Sequence, residues 1–104
     1  MTTDPDTGVT FINVLDVEPT AQQDVIAILQ EGTEKVMQHR PGFISVTILG
    51  SKDGTTVVNY ARWRSADDVR ATQADPDAAA YAQRTAALAK AAPNLYSVVA
   101  DYQA

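Results

Sequence analysis

The stretch that decides the fold is a turn followed by a strand, and it reads Asp53-Gly54-Thr55-Thr56-Val57-Val58-Asn59-Tyr60-Ala61-Arg62-Trp63. Asp-Gly is a typical turn pair, and the Thr, Val, Tyr and Trp residues after it favour an extended chain. Because side chains alternate along a strand, Val57, Asn59, Ala61 and Trp63 share one face. A buried amide such as that of Asn59 needs a hydrogen-bond partner, since leaving it unsatisfied costs about 1–3 kcal/mol. The partner is either the protein itself or a ligand.

The composition predicts one ordinary globular domain. The chain has 104 residues, of which 45% are hydrophobic and 20% are charged. A chain of this length can bury a core of its own. Residues 1–7 are polar and acidic, so we expect a disordered lead-in before a single domain over residues 8–104. With no signal-like segment and no apolar run of membrane length, the sequence favours a cytoplasmic protein with no membrane partner.

Charge and residue usage exclude several classes of function. The formal charge is −5, and the eight basic residues are scattered, which argues against a nucleic-acid partner. The chain contains no cysteine, so disulfides and thiolate chemistry are excluded. A single histidine, His39, cannot build a metal site without several converging carboxylates, and we expect no metal. Nucleotide-binding and nucleophile-elbow motifs are also absent from the sequence.

The first half of the chain alternates strands with a helix. Residues 8–17 alternate as a strand that carries Asn13 in an apolar row. Thr20 is a candidate N-cap for a helix that runs to about residue 38, where Pro41-Gly42 then ends it. A second strand over residues 43–49 leads through a hairpin loop into the third strand.

The second half predicts two helices and a last strand. Ser65 is a candidate N-cap, with Asp68 in the capping-box position, for a short helix. An interruption at Asp75-Pro76-Asp77 separates it from an alanine-rich helix predicted over residues 78–91. Pro93 is expected to stop that helix, and a last strand is expected over residues 95–102.

The order β-α-β-β-α-β predicts an α+β, ferredoxin-like fold. Right-handed crossovers place the first and third strands side by side in the middle of the sheet. Asn13 and Asn59 then lie on adjacent central strands, each within a row that is otherwise apolar.

Both faces of the predicted sheet are apolar, and two helices can cover only one of them. We therefore expect the other face to meet a second copy of the chain, giving a homodimer built sheet against sheet, that is, a dimeric α+β barrel. Tyr60, Tyr96 and Tyr102 are expected at or near this interface. A cavity is expected between each sheet and its own helices.

The third strand, with Pro41-Gly42-Phe43 before the second, closely resembles the antibiotic biosynthesis monooxygenase family. The pairing of Asn59 with Trp63 four residues later, together with Asn13 on the first strand, is similar to the cofactor-independent anthrone oxygenases of aromatic polyketide pathways. The resemblance extends from about Val9 to Tyr102. It implies a dimeric α+β barrel, in agreement with the topology above.

The resemblance implies a cofactor-free oxidation of a polycyclic aromatic substrate, an anthrone or hydroquinone of polyketide type, to a quinone, with O₂ as co-substrate. It assigns the catalytic roles to Asn13, Asn59 and Trp63. The residues expected to contact the substrate are Phe11, Val57, Ala61 and Tyr81. Compared with the actinorhodin-type enzymes, the chain has Leu49 in place of a His and Val69 in place of a Tyr, and Arg84 lies only near a later Arg.

Other interpretations of the same residues stay open. Each Asn could satisfy nearby backbone groups, and Trp63 could be a core aromatic residue. The whole protein could be a non-catalytic small-molecule-binding barrel, a haem-binding or haem-degrading relative, or a different enzyme on the same scaffold, such as a polyketide cyclase or a simple quinol oxidase. The haem interpretation is disfavoured because Thr72 or Gln73, and Tyr81, stand where the haem branch carries a Trp and an axial His.

Overall fold

The computed structural model describes residues 8–104, so the lead-in predicted over residues 1–7 lies outside the described part of the chain. The elements follow one another as β1 (Val9–Val17), α1 (Gln22–Lys35), β2 (Phe43–Gly50), β3 (Thr56–Trp63), α2 (Ala66–Gln73), α3 (Pro76–Ala86) and β4 (Ala89–Tyr96). Short 3₁₀ turns at Pro19–Ala21 and Met37–His39 flank α1.

The four strands form one antiparallel sheet in the order β2-β3-β1-β4. The first and third strands are therefore the central pair, as the sequence predicts, and the ferredoxin-like α+β fold is confirmed. Leu15, Val25 and Val57 are fully buried where β1, β3 and α1 meet. A second buried cluster joins β3 to α2 through Ala61, Trp63 and Val69. The helices thus cover the sheet face that carries the odd-numbered residues of β1 and β3.

The first helix is shorter than the sequence suggests. The N-cap prediction for Thr20 was wrong, because Pro19 starts a 3₁₀ turn that already contains Thr20, and α1 follows with Ala21 as an N-cap that makes no side-chain hydrogen bond. At its other end α1 stops at Lys35. The chain then tightens into a second 3₁₀ turn instead of continuing as helix to residue 38.

The caps of the later helices follow local sequence rules. Ser65 Oγ accepts the N–H of Asp68 at 3.1 Å and donates to the Asp68 carboxylate at 2.9 Å, which confirms the predicted cap. Asp75 caps α3 by accepting the N–H groups of Asp77 and Ala78, both at 3.1 Å. The interruption predicted here is the boundary between α2 and α3.

The last helix and strand lie earlier in the chain than predicted. The helix expected over residues 78–91 ends at Ala86, and the strand expected over residues 95–102 is β4, Ala89–Tyr96. Antiparallel pairing with β1 overrides the helix propensity of the alanine-rich segment. Pro93 is tolerated within the strand because β4 is an edge strand. Residues 97–104 have no regular secondary structure, and Tyr102 is exposed.

Candidate active site

Asn13 and Asn59 face each other across the two central strands. The register pairs Asn13 with Asn59 directly, and places Ile48 and Pro93 at the two outer ends of the same row. Directly opposed residues of antiparallel strands have Cα atoms roughly 4.5–5.5 Å apart. The prediction that the two amides lie on adjacent central strands is confirmed, and the register shows in addition that they face each other directly.

The two amides line a cavity of about 540 Å³ between the sheet and the helices. Volumes of about 300–1,000 Å³ are typical of small-molecule sites. From the sheet, Phe11, Ala61 and Trp63 also line this cavity. Its opposite wall comes from α1, α2 and α3, and much of it consists of small side chains, namely Gly32, Ala78, Ala79, Ala82 and Ala86.

The two amides differ in how they are satisfied. Oδ1 of Asn13 accepts the backbone N–H of Ala92 in β4 at 3.1 Å. Oδ1 of Asn59 is buried and has no hydrogen-bond partner within residues 8–104. In that part of the chain only Arg62 Nε, on the opposite face of the sheet, is another buried side-chain polar atom without a partner. A buried acceptor left unpaired costs about 1–3 kcal/mol, so a hydrogen-bond donor that reached the Asn59 oxygen would be bound favourably.

Trp63 combines a packing role with a position on the cavity wall. It is 5% exposed, and its ring meets Phe43 edge to face, with ring centroids 5.5 Å apart. Such pairs contribute about 0.5–1.5 kcal/mol beyond simple burial. This contact holds one side of the indole in place, and another part of the same residue borders the cavity.

Three of the four residues expected to contact a substrate line the cavity, and one does not. Phe11, Ala61 and Tyr81 belong to its wall. Val57 is 0% exposed and packs with Leu15 in the core below the cavity. The expectation for Val57 is corrected for a geometric reason: alternation along β3 puts it on the helix-covered face, but one row beyond Asn59, where α1 closes directly on the sheet.

No charged side chain lines the cavity among the described residues. Two of the three threonine hydroxyls on its helical wall donate to backbone carbonyls of their own helices, and the third, that of Thr72, accepts from Arg40 Nε at 3.4 Å. Thr33 donates to the carbonyl of Leu29 at 2.8 Å, and Thr85 donates to that of Tyr81 at 2.9 Å. Asn59 Oδ1 is the buried side-chain acceptor of this cavity that has no partner among residues 8–104.

Tyr81 is anchored to α1 by a small polar cluster. Its hydroxyl donates to Oε2 of Glu31 at 2.6 Å, and Arg84 binds the same oxygen at 3.1 Å. The hydrogen bond from Tyr81, followed by that from Arg84, holds the pKa of Glu31 below its usual value. The same hydrogen bond raises the pKa of Tyr81, because it is lost when the phenol ionises. The phenol therefore stays protonated as a donor to Glu31.

Sequence reasoning missed the helical wall and the role of Glu31. The spacing of Ala78, Ala82 and Ala86 is a helical i, i+4 pattern, so an apolar stripe could have been found. Nothing local connects Glu31 with Tyr81, because the two are 50 positions apart.

The remaining candidates do not converge on this cavity. Within residues 8–104 no three His, Asp or Glu side chains cluster in a way that could hold a metal ion. His39 lies in a 3₁₀ turn, where its Nε2 is 2.9 Å from the carbonyl oxygen of Glu34. No helix in the described part of the chain is long and apolar enough to cross a membrane.

The described residues form a ferredoxin-like domain whose sheet and helices enclose a largely apolar cavity, with a volume typical of small-molecule sites. The model of the antibiotic biosynthesis monooxygenase family matches residues 8–84. The chain belongs to this family, which confirms the family resemblance drawn from the third strand and Pro41-Gly42-Phe43.

One relative of similar sequence is a monooxygenase by name. The tetracenomycin-F1 monooxygenase of Streptomyces glaucescens is 48% identical over 67 residues, which cover 64% of this chain and 60% of that protein. The match thus spans less than two thirds of the relative's length.

Two solved structures align with nearly the whole chain. SnoaB, a cofactor-independent oxygenase from Streptomyces nogalater, is 26% identical with a TM-score of 0.74, and the alignment covers 91% of this chain and 96% of SnoaB. A monooxygenase from the gene ActVA-Orf6 of Streptomyces coelicolor, solved with nanaomycin D, is 27% identical with a TM-score of 0.84 and coverages of 97% and 96%.

Proposed function

We propose that the protein is a cofactor-independent monooxygenase that oxidises a polycyclic aromatic substrate, an anthrone or hydroquinone of polyketide type, to a quinone with O₂. The observation that carries the proposal is the uncharged, largely apolar cavity in which the buried Asn59 oxygen has no partner. The activities named for the tetracenomycin-F1 monooxygenase and SnoaB support the same reaction class.

The reaction balances without an external reductant. Deprotonated substrate passes one electron to O₂, and the radical pair recombines to form the C–O bond of a peroxide. Cleavage of the O–O bond then gives the quinone carbonyl, and the second oxygen atom leaves as water with the two substrate hydrogens. The electrons therefore come from the substrate, and the protein has to orient it, exclude water and stabilise the anion.

Asn59 and Asn13 bind the reacting oxygen of the substrate or of the peroxide. The terminal torsion of an Asn side chain is soft, so the buried amide of Asn59 can turn toward a ligand hydroxyl or oxyanion without strain. An amide donor aimed at a developing oxyanion contributes about 3–4 kcal/mol. Trp63 supplies an aromatic surface for the polycycle, and Phe11 and Ala61 complete the sheet side of the site.

The absence of charged lining residues suits a substrate that ionises by its own acidity. An anthrone is such a compound, because its anion is delocalised over an aromatic ring system. A low-dielectric cavity strengthens the hydrogen bonds made to that anion, since no water competes for it.

The same proposal includes a homodimer formed through the sheet face that the described helices leave uncovered. On this face Leu49, Val58 and Val14 form a continuous row across three strands. Val14 is 39% exposed and Leu49 is 52% exposed, although both belong to a sheet. A second copy of the chain would remove this apolar row from water.

The test of the activity is oxygen uptake by metal-stripped protein given dithranol under ¹⁸O₂, with the quinone analysed by mass spectrometry. Labelled quinone formed above the rate without enzyme supports the proposal. Unlabelled quinone would indicate a simple quinol oxidase. Tight binding of the ligand without oxygen uptake would indicate a non-catalytic binding barrel, and a Soret band on adding haemin would indicate a haem-binding relative.

A further inference from the structure

Tyr81 lies between the substrate cavity and a second concavity on the outside of the molecule. The outer concavity has a volume of about 380 Å³ and is lined by Lys35, Val36, Asp77, Ala80 and Arg84 together with Tyr81. Among the described residues, Tyr81 is the one residue that belongs to both walls. Tyr81 therefore borders both spaces and is the candidate for the partition between them.

The partition is held in place from several directions. The hydroxyl of Tyr81 donates to the Glu31 carboxylate at 2.6 Å, and the Arg84 guanidinium binds the same carboxylate oxygen at 3.1 Å. The guanidinium carbon of Arg84 also lies 5.2 Å from the centroid of the Tyr81 ring, within the range of a cation–π contact. Hydrogen bonds to an ionised carboxylate are among the stronger ones in proteins, so the ring has a defined position.

The backbone of α1 supports the other side of the ring. A β-carbon at Gly32 would lie 3.1 Å from Cγ of Tyr81, which is tighter than ordinary van der Waals contact. The glycine therefore lets the phenol ring pack directly on α1, next to Glu31 on the same helix. Tyr81 is fixed against α1 both by its polar tip and by its ring.

We propose that Tyr81 is a specificity-determining residue that closes one side of the substrate cavity, and that Glu31 is the positioning residue that keeps it closed. The inference rests on the proposed function, since it concerns which polycycles that cavity admits. Truncating Tyr81 joins the two spaces, so larger ring systems become acceptable. Removing the Glu31 carboxylate frees the Tyr81 phenol to turn, so the cavity also admits larger ring systems.

The test is a ligand-binding assay in which the quenching of Trp63 fluorescence measures binding. Trp63 is the only Trp in the chain and borders the cavity, so the signal reports occupancy whether or not turnover occurs. The probes are hydroxylated quinones with three, four and five fused rings. In Tyr81→Ala we expect affinity for the largest quinone to rise roughly tenfold relative to the smallest, which is the size of effect that pocket shape commonly provides.

Variants at Glu31 distinguish a positioning role from a merely structural one. We expect Glu31→Ala to relax the discrimination between quinones, whereas Glu31→Gln, which keeps an acceptor for the phenol, restores it. Glu34→Ala is the matched control, because Glu34 is an exposed acid on the same helix. In turnover of dithranol, Glu31→Ala should change KM and leave kcat close to that of the wild type.

Relative affinities unchanged in both Tyr81→Ala and Glu31→Ala would overturn the inference. Should Tyr81→Ala fail to fold, the comparison of Glu31→Ala with Glu31→Gln decides it alone. Quinone binding with altered selectivity but no oxygen uptake would refute the proposed function and support the partition. Oxygen uptake with unaltered selectivity would support the proposed function and refute the role of Tyr81 as a partition.

Discussion

Asn13 and Asn59 are directly opposed on the two central strands, yet only one of them is satisfied within the described structure. The Asn13 oxygen accepts the N–H of Ala92 at 3.1 Å, whereas the Asn59 oxygen is buried without a partner. Asn13 thus links the site to the edge strand β4, and Asn59 supplies the open acceptor. The two amides are equivalent in sequence pattern but differ in their hydrogen bonding, so we expect their removal to affect stability differently.

Asn13→Ala should lower stability as well as activity. The substitution leaves the Ala92 N–H without its acceptor, and a hydrogen bond of this kind contributes about 0.5–1.5 kcal/mol. Urea unfolding followed by Trp63 fluorescence measures the loss. Asn94→Ala is the control, because the Asn94 side chain bonds only the N–H of the next residue, Leu95. Equal stability of the Asn13 variant and the wild type would show that the Ala92 contact has no net effect.

Gly42→Ala should destabilise the protein more than Gly54→Ala, although both glycines have a positive φ. Gly42 has a φ of 86°, and an added β-carbon would collide with the carboxyl group of Asp68, which is part of the cap of α2. A non-glycine residue held in such a conformation costs about 1–3 kcal/mol before any collision. Gly54 has a φ of 83°, but a β-carbon there meets only Pro19 at 3.4 Å. Thermal unfolding of both variants should show the larger loss at Gly42, and an equal loss would refute the collision.

The hairpin before β3 should lose stability in acid through Asp53. Its Oδ1 accepts from the hydroxyls of Thr55 and Ser51, each at 2.7 Å, and from the N–H of Thr55 at 3.0 Å. The hydrogen bond from the Thr55 hydroxyl, followed by that from Ser51, lowers the pKa of Asp53 below the ordinary 3.8. Because the pKa of Asp53 is lower in the folded than in the unfolded state, its ionised carboxylate stabilises the folded protein at pH values above 3.8. This contribution to stability is lost as the pH falls through the lowered pKa of the folded state.

Asp53→Asn should therefore be less stable than the wild type at neutral pH, and the difference should shrink as both are titrated below the ordinary value. Urea midpoints measured across this range provide the test. Asp101→Asn, in the irregular segment after β4, is the control for a change in net charge. A difference between Asp53→Asn and the wild type that does not vary with pH would contradict the assignment.

The proposed homodimer makes Val14 a sensitive position. Val14→Lys introduces a charge into the apolar row shared with Val58 and Leu49, and burying an unpaired charge is costly. We expect the wild type to elute as a dimer in light-scattering chromatography and the variant to shift toward monomer. Thr20→Lys, at an exposed position in the 3₁₀ turn before α1, controls for added charge. A monomeric wild type would remove the interface from the account.

The sequence predicted those features that local pattern determines. Alternation in β1 and β3 fixed which residues share a face, and the order of the elements placed Asn13 and Asn59 on adjacent central strands, whereas their direct pairing is known only from the register. The cap at Ser65 needed only its neighbour Asp68. Residues 87–91 were misassigned to the helix because their alanines favour one, and only long-range pairing with β1 makes residues 89–91 part of a strand.

The details of the candidate site depended on contacts that no local pattern contains. Val57 lies on the sheet face that was predicted but outside the cavity, because the point at which α1 closes on the sheet follows from helix packing. Glu31 and Tyr81 meet across two helices that are distant in sequence. The cavity itself depends on how far small residues such as Gly32 let those helices approach.

The central claim is that the amide of Asn59 serves the substrate, its open oxygen accepting from a substrate hydroxyl and its N–H donating to the oxyanion that forms. The most direct test is the rate of ¹⁸O incorporation into quinone by Asn59→Ala. We predict a loss of about 10²–10³-fold in kcat, the effect of removing one oxyanion donor. Stability should be unchanged or slightly higher, because the variant no longer buries an unpaired amide oxygen. Wild-type turnover in a folded Asn59→Ala protein would contradict the account.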